Sequence, residues 1–145
     1  MKKSLRCICA ALFMLAFCTG FVIHASAVER ASSYLTRYSA TVSASNNGAI
    51  EMSIFVVANK SVSELGASYI LLEESDDGGK TWSTAREYEG QSWMTAENRS
   101  TYSRTLSYPG TIGHQYRVTA EVFAKDANGG DSRTTPTSPV VTAKR

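Results

Sequence analysis

Few residues in this chain of 145 amino acids could carry out chemistry. His114 is the one histidine that follows residue 27. Hydrolysis by paired carboxylates needs two acids that face one cleft, and the adjacent pair Glu73 and Glu74, or Glu87 with Glu89, would have to supply them. Both pairs have the pattern of solvated hairpin residues. We therefore expect no catalytic residues, and we interpret His114 as a surface loop residue.

A second group of acids could hold a cation. Glu74, Asp76 and Asp77 lie within four positions of one another, beside two consecutive glycines. Calcium takes six to eight oxygen ligands, and the sequence supplies too few at suitable spacing. We expect no metal and no cofactor, and a calcium site at these three residues is the alternative.

Three residues suggest binding. Trp93 and Met94 lie in the irregular stretch Glu89–Ser100, and Tyr88 directly precedes it. An exposed indole can stack on a sugar ring or anchor a protein contact. We predict a binding site at Trp93, Tyr88 and Met94, with Trp93 partly exposed because its neighbours are polar. The alternative is that Trp93 caps one end of the core.

The first 27 residues have the pattern of a secretory signal peptide. Basic residues at positions 2, 3 and 6 precede the apolar run Ile8–Ile23, and Ala25–Ala27 supplies the small residues of a cleavage site. A membrane span needs about 20 apolar residues, so a retained anchor is the weaker interpretation. The sequence predicts cleavage after Ala27, a secreted product and no membrane contact after cleavage.

The remaining 118 residues contain no cysteine, so their fold must rest on an apolar core. Twelve basic residues stand against 13 acidic ones after residue 27, which gives a net charge of about −1. No basic stripe is present, which argues against nucleic acid as a partner. We expect a flexible leader over residues 28–36, one domain over residues 37–145, and an extracellular protein or a glycan as partner.

Apolar residues alternate with polar ones along most of the domain, which is typical of half-buried strands. Turn residues such as Asn46–Gly48 and Asn128–Gly130 separate the runs. The pattern predicts seven strands in a two-sheet antiparallel β-sandwich. They cover Tyr38–Ala44, Ile50–Val57, Ala67–Glu74, Lys80–Tyr88, Tyr102–Tyr108, Tyr116–Ala124 and Ser132–Thr142.

One motif resembles the tyrosine corner of fibronectin type III and immunoglobulin-like domains. The run Leu106–Thr111 contains a Pro-Gly turn at Pro109 and Gly110, and Tyr116 heads the sixth predicted strand. The resemblance implies that Tyr116 is buried and that its hydroxyl bonds to backbone near the turn. Its meaning is structural.

A second motif resembles the Asp-box of sialidase-type propellers. Ser75, Asp77, Gly79, Thr81 and Trp82 match its pattern of a serine, an aspartate, a glycine and a Thr-Trp pair. The resemblance implies a hairpin loop in which Asp77 bonds turn amides and Trp82 folds over the hairpin. A propeller needs at least four blades, so we interpret this single box as a folding device. A glycosidase-associated protein is the less favoured alternative.

Taken together, the chain resembles an uncharacterised family of small secreted proteins of Gram-positive gut bacteria. The shared segments are Arg30–Leu35, Ser39–Ala44 and Asp77–Trp82. The resemblance implies secretion and a sandwich fold, and it implies no activity. We therefore expect a non-catalytic extracellular interaction or adhesion-type module. The alternatives are a carbohydrate-binding module that uses exposed aromatics and assembly of copies of this chain through open edge strands.

Overall fold

The computed structural model describes residues 33–145. The predicted signal peptide, its cleavage site and the leader up to residue 32 lie outside the described residues. The described part contains two short 3-10 turns, Asn46–Gly48 and Ser92–Met94, and seven strands. The strands are β1 (Leu35–Ala44), β2 (Ala49–Ser75), β3 (Ser83–Glu89), β4 (Thr95–Pro109), β5 (Gln115–Asp126), β6 (Gly129–Thr134) and β7 (Val141–Thr142).

All seven strands belong to one hydrogen-bonded sheet, in which each pairing is antiparallel. The expectation of an all-β fold with seven antiparallel strands is confirmed. β2 is the central strand, because its first half lies between β1 and β4 and its second half between β3 and β5. Buried side chains from both halves form one core.

The two strands predicted over Ile50–Val57 and Ala67–Glu74 are one continuous strand, so this part of the prediction is wrong. The register between β2 and β4 shifts between Val57 and Val62, where β2 holds more residues than the facing stretch Arg99–Thr101. Extra residues of this kind form a bulge, which bends a strand without ending it. β2 therefore continues from one set of partner strands to the other.

The strand predicted over Ser132–Thr142 is instead interrupted, and β6 and β7 are separated by a segment with two prolines. The hydroxyls of Thr135 and Ser138, both buried, accept hydrogen bonds from the backbone N–H groups of Ala120 and Val118 at 3.0 and 2.9 Å. The backbone N–H groups of Thr135 and Ser138 donate in turn to the carbonyls of the same two residues. Side-chain hydroxyls thus extend the pairing with β5 where proline limits a regular ladder.

The alternation predicted for β5 is confirmed. Partly exposed or exposed residues alternate along β5 with five fully buried ones. The buried residues are Tyr116, Val118, Ala120, Val122 and Ala124. β2 alternates in the same way over Ile50–Val56. Among residues 33–145, no helix is long and apolar enough to cross a membrane.

β1 includes two residues that precede the predicted domain boundary at residue 37. β1 begins at Leu35, which is buried. The backbone N–H of Tyr34 donates to Asp131 at 2.9 Å, and its hydroxyl donates to Asp126 at 2.9 Å. These bonds link the first described residues to the hairpin between β5 and β6.

Candidate functional site

Tyr88 and Trp93 lie together at the end of β3. Trp93 is the middle residue of the 3-10 turn Ser92–Met94, and its ring centroid is 5.5 Å from that of Tyr88 in an edge-to-face arrangement. Both side chains are half-buried and pack against the core. The structure therefore places the two predicted binding residues in contact.

Two arginines extend this pair at both ends. The guanidinium of Arg86 lies 5.5 Å from the Tyr88 ring centroid, and that of Arg104 lies 5.2 Å from the Trp93 ring centroid. Such distances are in the range of cation–π contacts. The four side chains, Arg86, Tyr88, Trp93 and Arg104, form one row, which we call the cation–π row.

The strand register shows where the cation–π row lies. Arg86 stands opposite Leu72, and Arg104 stands opposite Ile54. Residues directly opposite each other in a strand pair share a face, and both Leu72 and Ile54 are fully buried. The row therefore runs over the core face of the sheet, from β3 to β4, which each pair only with β2 among the described strands.

Both arginines of the row are exposed. Within residues 33–145, neither guanidinium forms a salt bridge, whereas Arg117 pairs with Glu73 and Lys125 pairs with Glu64. Stacking on a ring leaves the N–H groups of a guanidinium free to bind a carboxylate or another planar acceptor. The row thus offers unoccupied hydrogen-bond donors at two fixed positions.

Met94 does not belong to this surface, and its prediction as a binding residue is wrong. Its side chain is 1% exposed and lies in the core. The turn is held from several sides: the Met94 N–H donates to the carbonyl of Gln91, and the Tyr102 hydroxyl donates to the carbonyl of Trp93. A Cβ at Gly66 would lie 2.0 Å from the Met94 carbonyl oxygen, so only glycine permits β2 to approach the turn this closely.

A groove of about 440 Å³ lies beside the row. Its lining combines three aromatic side chains with acidic, amide and basic ones: Tyr69, Arg86, Glu87, Tyr88, Glu89, Gln91 and Trp93. The Tyr69 hydroxyl donates to Glu87 at 2.7 Å, and this bond raises the pKa of Tyr69 to about 12. The groove therefore presents aromatic surface together with hydrogen-bonding groups of both charges.

Sequence reasoning missed Tyr69, Arg86 and Arg104. Arg86 could have been found, because it stands two positions from Tyr88 and alternation puts both on one face of a strand. Arg104 carries no such local signal, since it reaches Trp93 only through the pairing of β4 with β2.

The loop 75–82, which we call the Asp77 loop, is organised by one carboxylate. Asp77 Oδ1 accepts hydrogen bonds from the Ser75 hydroxyl and from the N–H groups of Lys80 and Thr81, and Oδ2 accepts one from the Thr81 hydroxyl at 2.7 Å. The bonds from Thr81 and Ser75 hold the pKa of Asp77 well below its usual range. The N–H groups of Lys80 and Thr81 are thus engaged by Asp77, and β3 begins at Ser83 rather than at the predicted Lys80.

Trp82 closes the Asp77 loop. Its indole N–H donates to the carbonyl of Gly79 at 3.2 Å, and the guanidinium of Arg117 lies 4.1 Å from its ring centroid. Gly79 has φ +88°, a conformation that side chains resist. This geometry agrees with the position over the hairpin that the motif implies for Trp82.

Tyr116 is fully buried at the turn formed by Pro109 and Gly110. Its hydroxyl accepts a hydrogen bond from the N–H of Thr111 at 2.8 Å and donates one to Glu74 at 2.8 Å. The first bond is the link to turn backbone that the corner motif implies, and burial raises the pKa of Tyr116. The bond to Glu74 was not expected from the motif.

Of the two candidate acid pairs, Glu87 and Glu89 both line the groove beside the row, whereas Glu73 and Glu74 are engaged by different partners. Glu73 binds Arg117 through two hydrogen bonds at 2.8 and 3.0 Å, while Glu74 binds Tyr116. His114 is half-buried, and its Nδ1 lies 3.7 Å from the carboxylate of Glu74. Within the part of the chain that the structure describes, no three His, Cys, Asp or Glu side chains are grouped to hold a metal.

Comparison of the chain with models of known protein families gives no match, and comparison with curated proteins gives no significant relative. The candidate site therefore rests on its own geometry.

Proposed function

We propose that this chain is a secreted, non-catalytic binding module that holds an extracellular protein or glycan in the groove beside the cation–π row. The observation that carries the proposal is the row itself. It combines a Trp-Tyr pair with two exposed guanidiniums that form no salt bridge within residues 33–145. Aromatic and arginine side chains are the types enriched at binding hot spots.

The proposal includes an architecture of the fibronectin type III and immunoglobulin-like kind. Its support is the change of partner strands along β2, from β1 and β4 over its first half to β3 and β5 over its second, with β4 and β5 both pairing over Glu64–Gly66. The buried Tyr116 and its bond to Thr111 add support, because such a corner links strands of that fold. By analogy with modules of this architecture, which present loops and edge strands to partners, we place the binding site at such elements.

The Asp77 loop has a structural role in this proposal. Its carboxylate is engaged by four donors from its own loop, so it offers little to a ligand. This argues against a role for the loop as part of a glycosidase or as a calcium site.

Secretion is tested by expressing the full chain with a C-terminal tag and fractionating the culture. We expect the product in the medium, with Val28 as its first residue. Accumulation in the cytoplasm with the first 27 residues still attached would contradict this part of the proposal.

Binding is tested by applying the purified protein to arrays of glycans and of extracellular proteins. We expect Trp93→Ala to weaken capture by about tenfold or more. The variant should remain folded, because removing a half-buried indole lowers the free energy of unfolding by less than the roughly 3–5 kcal/mol lost with a buried one. The matched control is Phe55→Ala. Phe55 is also half-buried under an arginine, Arg37 at 5.6 Å, but it neighbours buried Ile54 in β2 and so points to the other face. Equal loss in both variants, or no capture on either array, would refute the proposal.

A further inference from the structure

β3 has one unoccupied edge. Among the described strands it pairs only with β2, through Glu74 to Tyr69 of that strand. One set of its backbone N–H and C=O groups therefore points away from the sheet, apart from the carbonyl of Glu89, which accepts a bond from the Gln91 side chain. Unpaired groups of this kind are a template for another extended chain.

The groove runs along this edge. Side chains of consecutive strand residues point to opposite faces of a sheet, yet Arg86, Glu87, Tyr88 and Glu89 all line the groove. Tyr69 of β2 also lines the groove, and its hydroxyl reaches Glu87 on the outer face of β3. One edge of β3 is covered by β2, so a groove that is bounded from both faces lies along the other edge. A molecule in the groove would meet the unpaired backbone groups as well as the side chains.

The two faces of this edge differ in charge. Arg86 and Tyr88 share the core face with Trp93, while Glu87 and Glu89 stand opposite Leu71 and Tyr69 on the outer face. Opposite charges that face each other across a strand pair are stabilising. An added strand would fit best with acidic side chains on the core face and basic ones on the outer face.

We propose that the groove binds an extended peptide, which adds a strand to the free edge of β3 and places an acidic side chain against Arg86 and basic side chains against Glu87 and Glu89. This inference rests on the proposed binding function and names the ligand class of the same site. Main-chain hydrogen bonds supply affinity in such strand addition, and alternate side chains supply specificity.

A second copy of the chain fits this edge less well. In an antiparallel pairing of two β3 strands, the register that sets Arg86 opposite Tyr88 also sets Glu87 opposite its own copy. The register two residues away, in which all of Ser83–Glu89 overlaps, sets Arg86 opposite its own copy. Like charges directly opposite each other are destabilising, so the charge pattern favours a peptide of different sequence.

The test selects from a displayed library of random nine-residue peptides with the purified protein. We expect enriched peptides to carry two basic residues two positions apart, opposite Glu87 and Glu89, with an acidic residue directly next to one of them, opposite Arg86. A synthetic copy of the most enriched peptide should bind the wild-type protein about tenfold or more weakly when its alternate amides are N-methylated. The unmethylated peptide should bind the Arg86→Glu variant more weakly than the wild type by a similar factor. Arg37→Glu is the matched control, because Arg37 also stacks on a ring, that of Phe55, away from β3.

Several outcomes would overturn the inference. Equal binding of the N-methylated peptide would show that no strand is added, and equal binding to Arg86→Glu would show that the charge contact is absent. Capture of glycans through Trp93 with no enriched peptide would overturn the inference and leave the proposed function standing, whereas no capture of either class would overturn both. Concentration-dependent dimerisation that Arg86→Glu abolishes would assign the edge to a second copy instead.

Discussion

The Asp77 loop and the cation–π row each contain a tryptophan ring with an arginine over it, but they differ in how far the charges find partners within the chain. In the loop, Asp77 accepts four hydrogen bonds, and the nearby Arg117 both stacks on Trp82 and pairs with Glu73. In the row, the arginines stack on rings and have no carboxylate partner within residues 33–145. A charge whose partners lie within the chain holds the fold together, whereas a charge that is positioned and left unpaired is available to another molecule.

The largest effect on stability is expected at Tyr116, whose partner Glu74 directly precedes the Asp77 loop. Tyr116→Phe removes a hydroxyl that bonds both Thr111 and Glu74 in a buried site. We expect a loss of about 1–3 kcal/mol in the free energy of unfolding, because a buried donor and acceptor lose their partner. Urea unfolding measures it. A variant as stable as the wild type would show that the hydrogen bonds of Tyr116 do not stabilise the fold. It would contradict the view that polar groups paired within the chain hold this region together.

A smaller effect, dependent on pH, is expected at Asp77. Because its folded-state pKa lies below the value of about 3.9 for an unfolded aspartate, the ionised carboxylate stabilises the protein at neutral pH. That contribution is lost as the pH falls below about 4 and through the folded-state pKa. Asp77→Asn should therefore be less stable than the wild type at pH 7, and the difference should shrink in acid. Thermal melts between pH 7 and pH 2 measure it.

Asp126 provides the control for this titration. Its pKa is lowered to about 2 by the bond from Lys60, and it also accepts the N–H of Asn128. Asp126→Asn should show the same direction of pH dependence without altering the Asp77 loop. A wild-type-to-variant difference at Asp77 that stays constant from neutral pH to acid would mean that the carboxylate charge has no part in stabilising the loop.

The smallest effect on stability is expected in the cation–π row. Arg86→Ala removes an exposed side chain with one ring contact, and we expect the free energy of unfolding to change by no more than about 0.5 kcal/mol. Arg117→Ala is the matched comparison, because Arg117 has a ring contact and a carboxylate partner as well. If Arg86→Ala proved more destabilising than Arg117→Ala in parallel melts, the row would stabilise the fold, and its proposed role in ligand binding would be rejected.

Local patterns predicted the parts of the fold whose contacts are close in sequence. The Asp77 loop closes within eight residues, and the alternation along β5 records which side chains face the core. The bond between Thr111 and Tyr116 likewise spans five positions. Such contacts can be predicted from the local sequence, because the same few residues determine both the turn and its hydrogen bonds.

Features that depend on distant pairing could not be predicted in this way. Arg104 reaches Trp93 because β4 pairs with β2 in one register, and a single shift would place it on the other face. Met94 is buried because a 3-10 turn directs it inward against Gly66, which no local pattern in Glu89–Ser100 indicates. The part of that stretch from Thr95 onward is strand, contrary to expectation, since it pairs with Val62–Gly66.

The length of β2 has a consequence for how the protein comes apart. One strand of 27 residues supplies hydrogen bonds to β1, β3, β4 and β5, so loss of β2 would remove a partner from all four strands. Amide protons in the middle of β2, over Glu64–Gly66 between β4 and β5, should therefore exchange more slowly than those of the short β7, which should exchange through local fraying. The continuity of β2 thus couples the unfolding of its two halves.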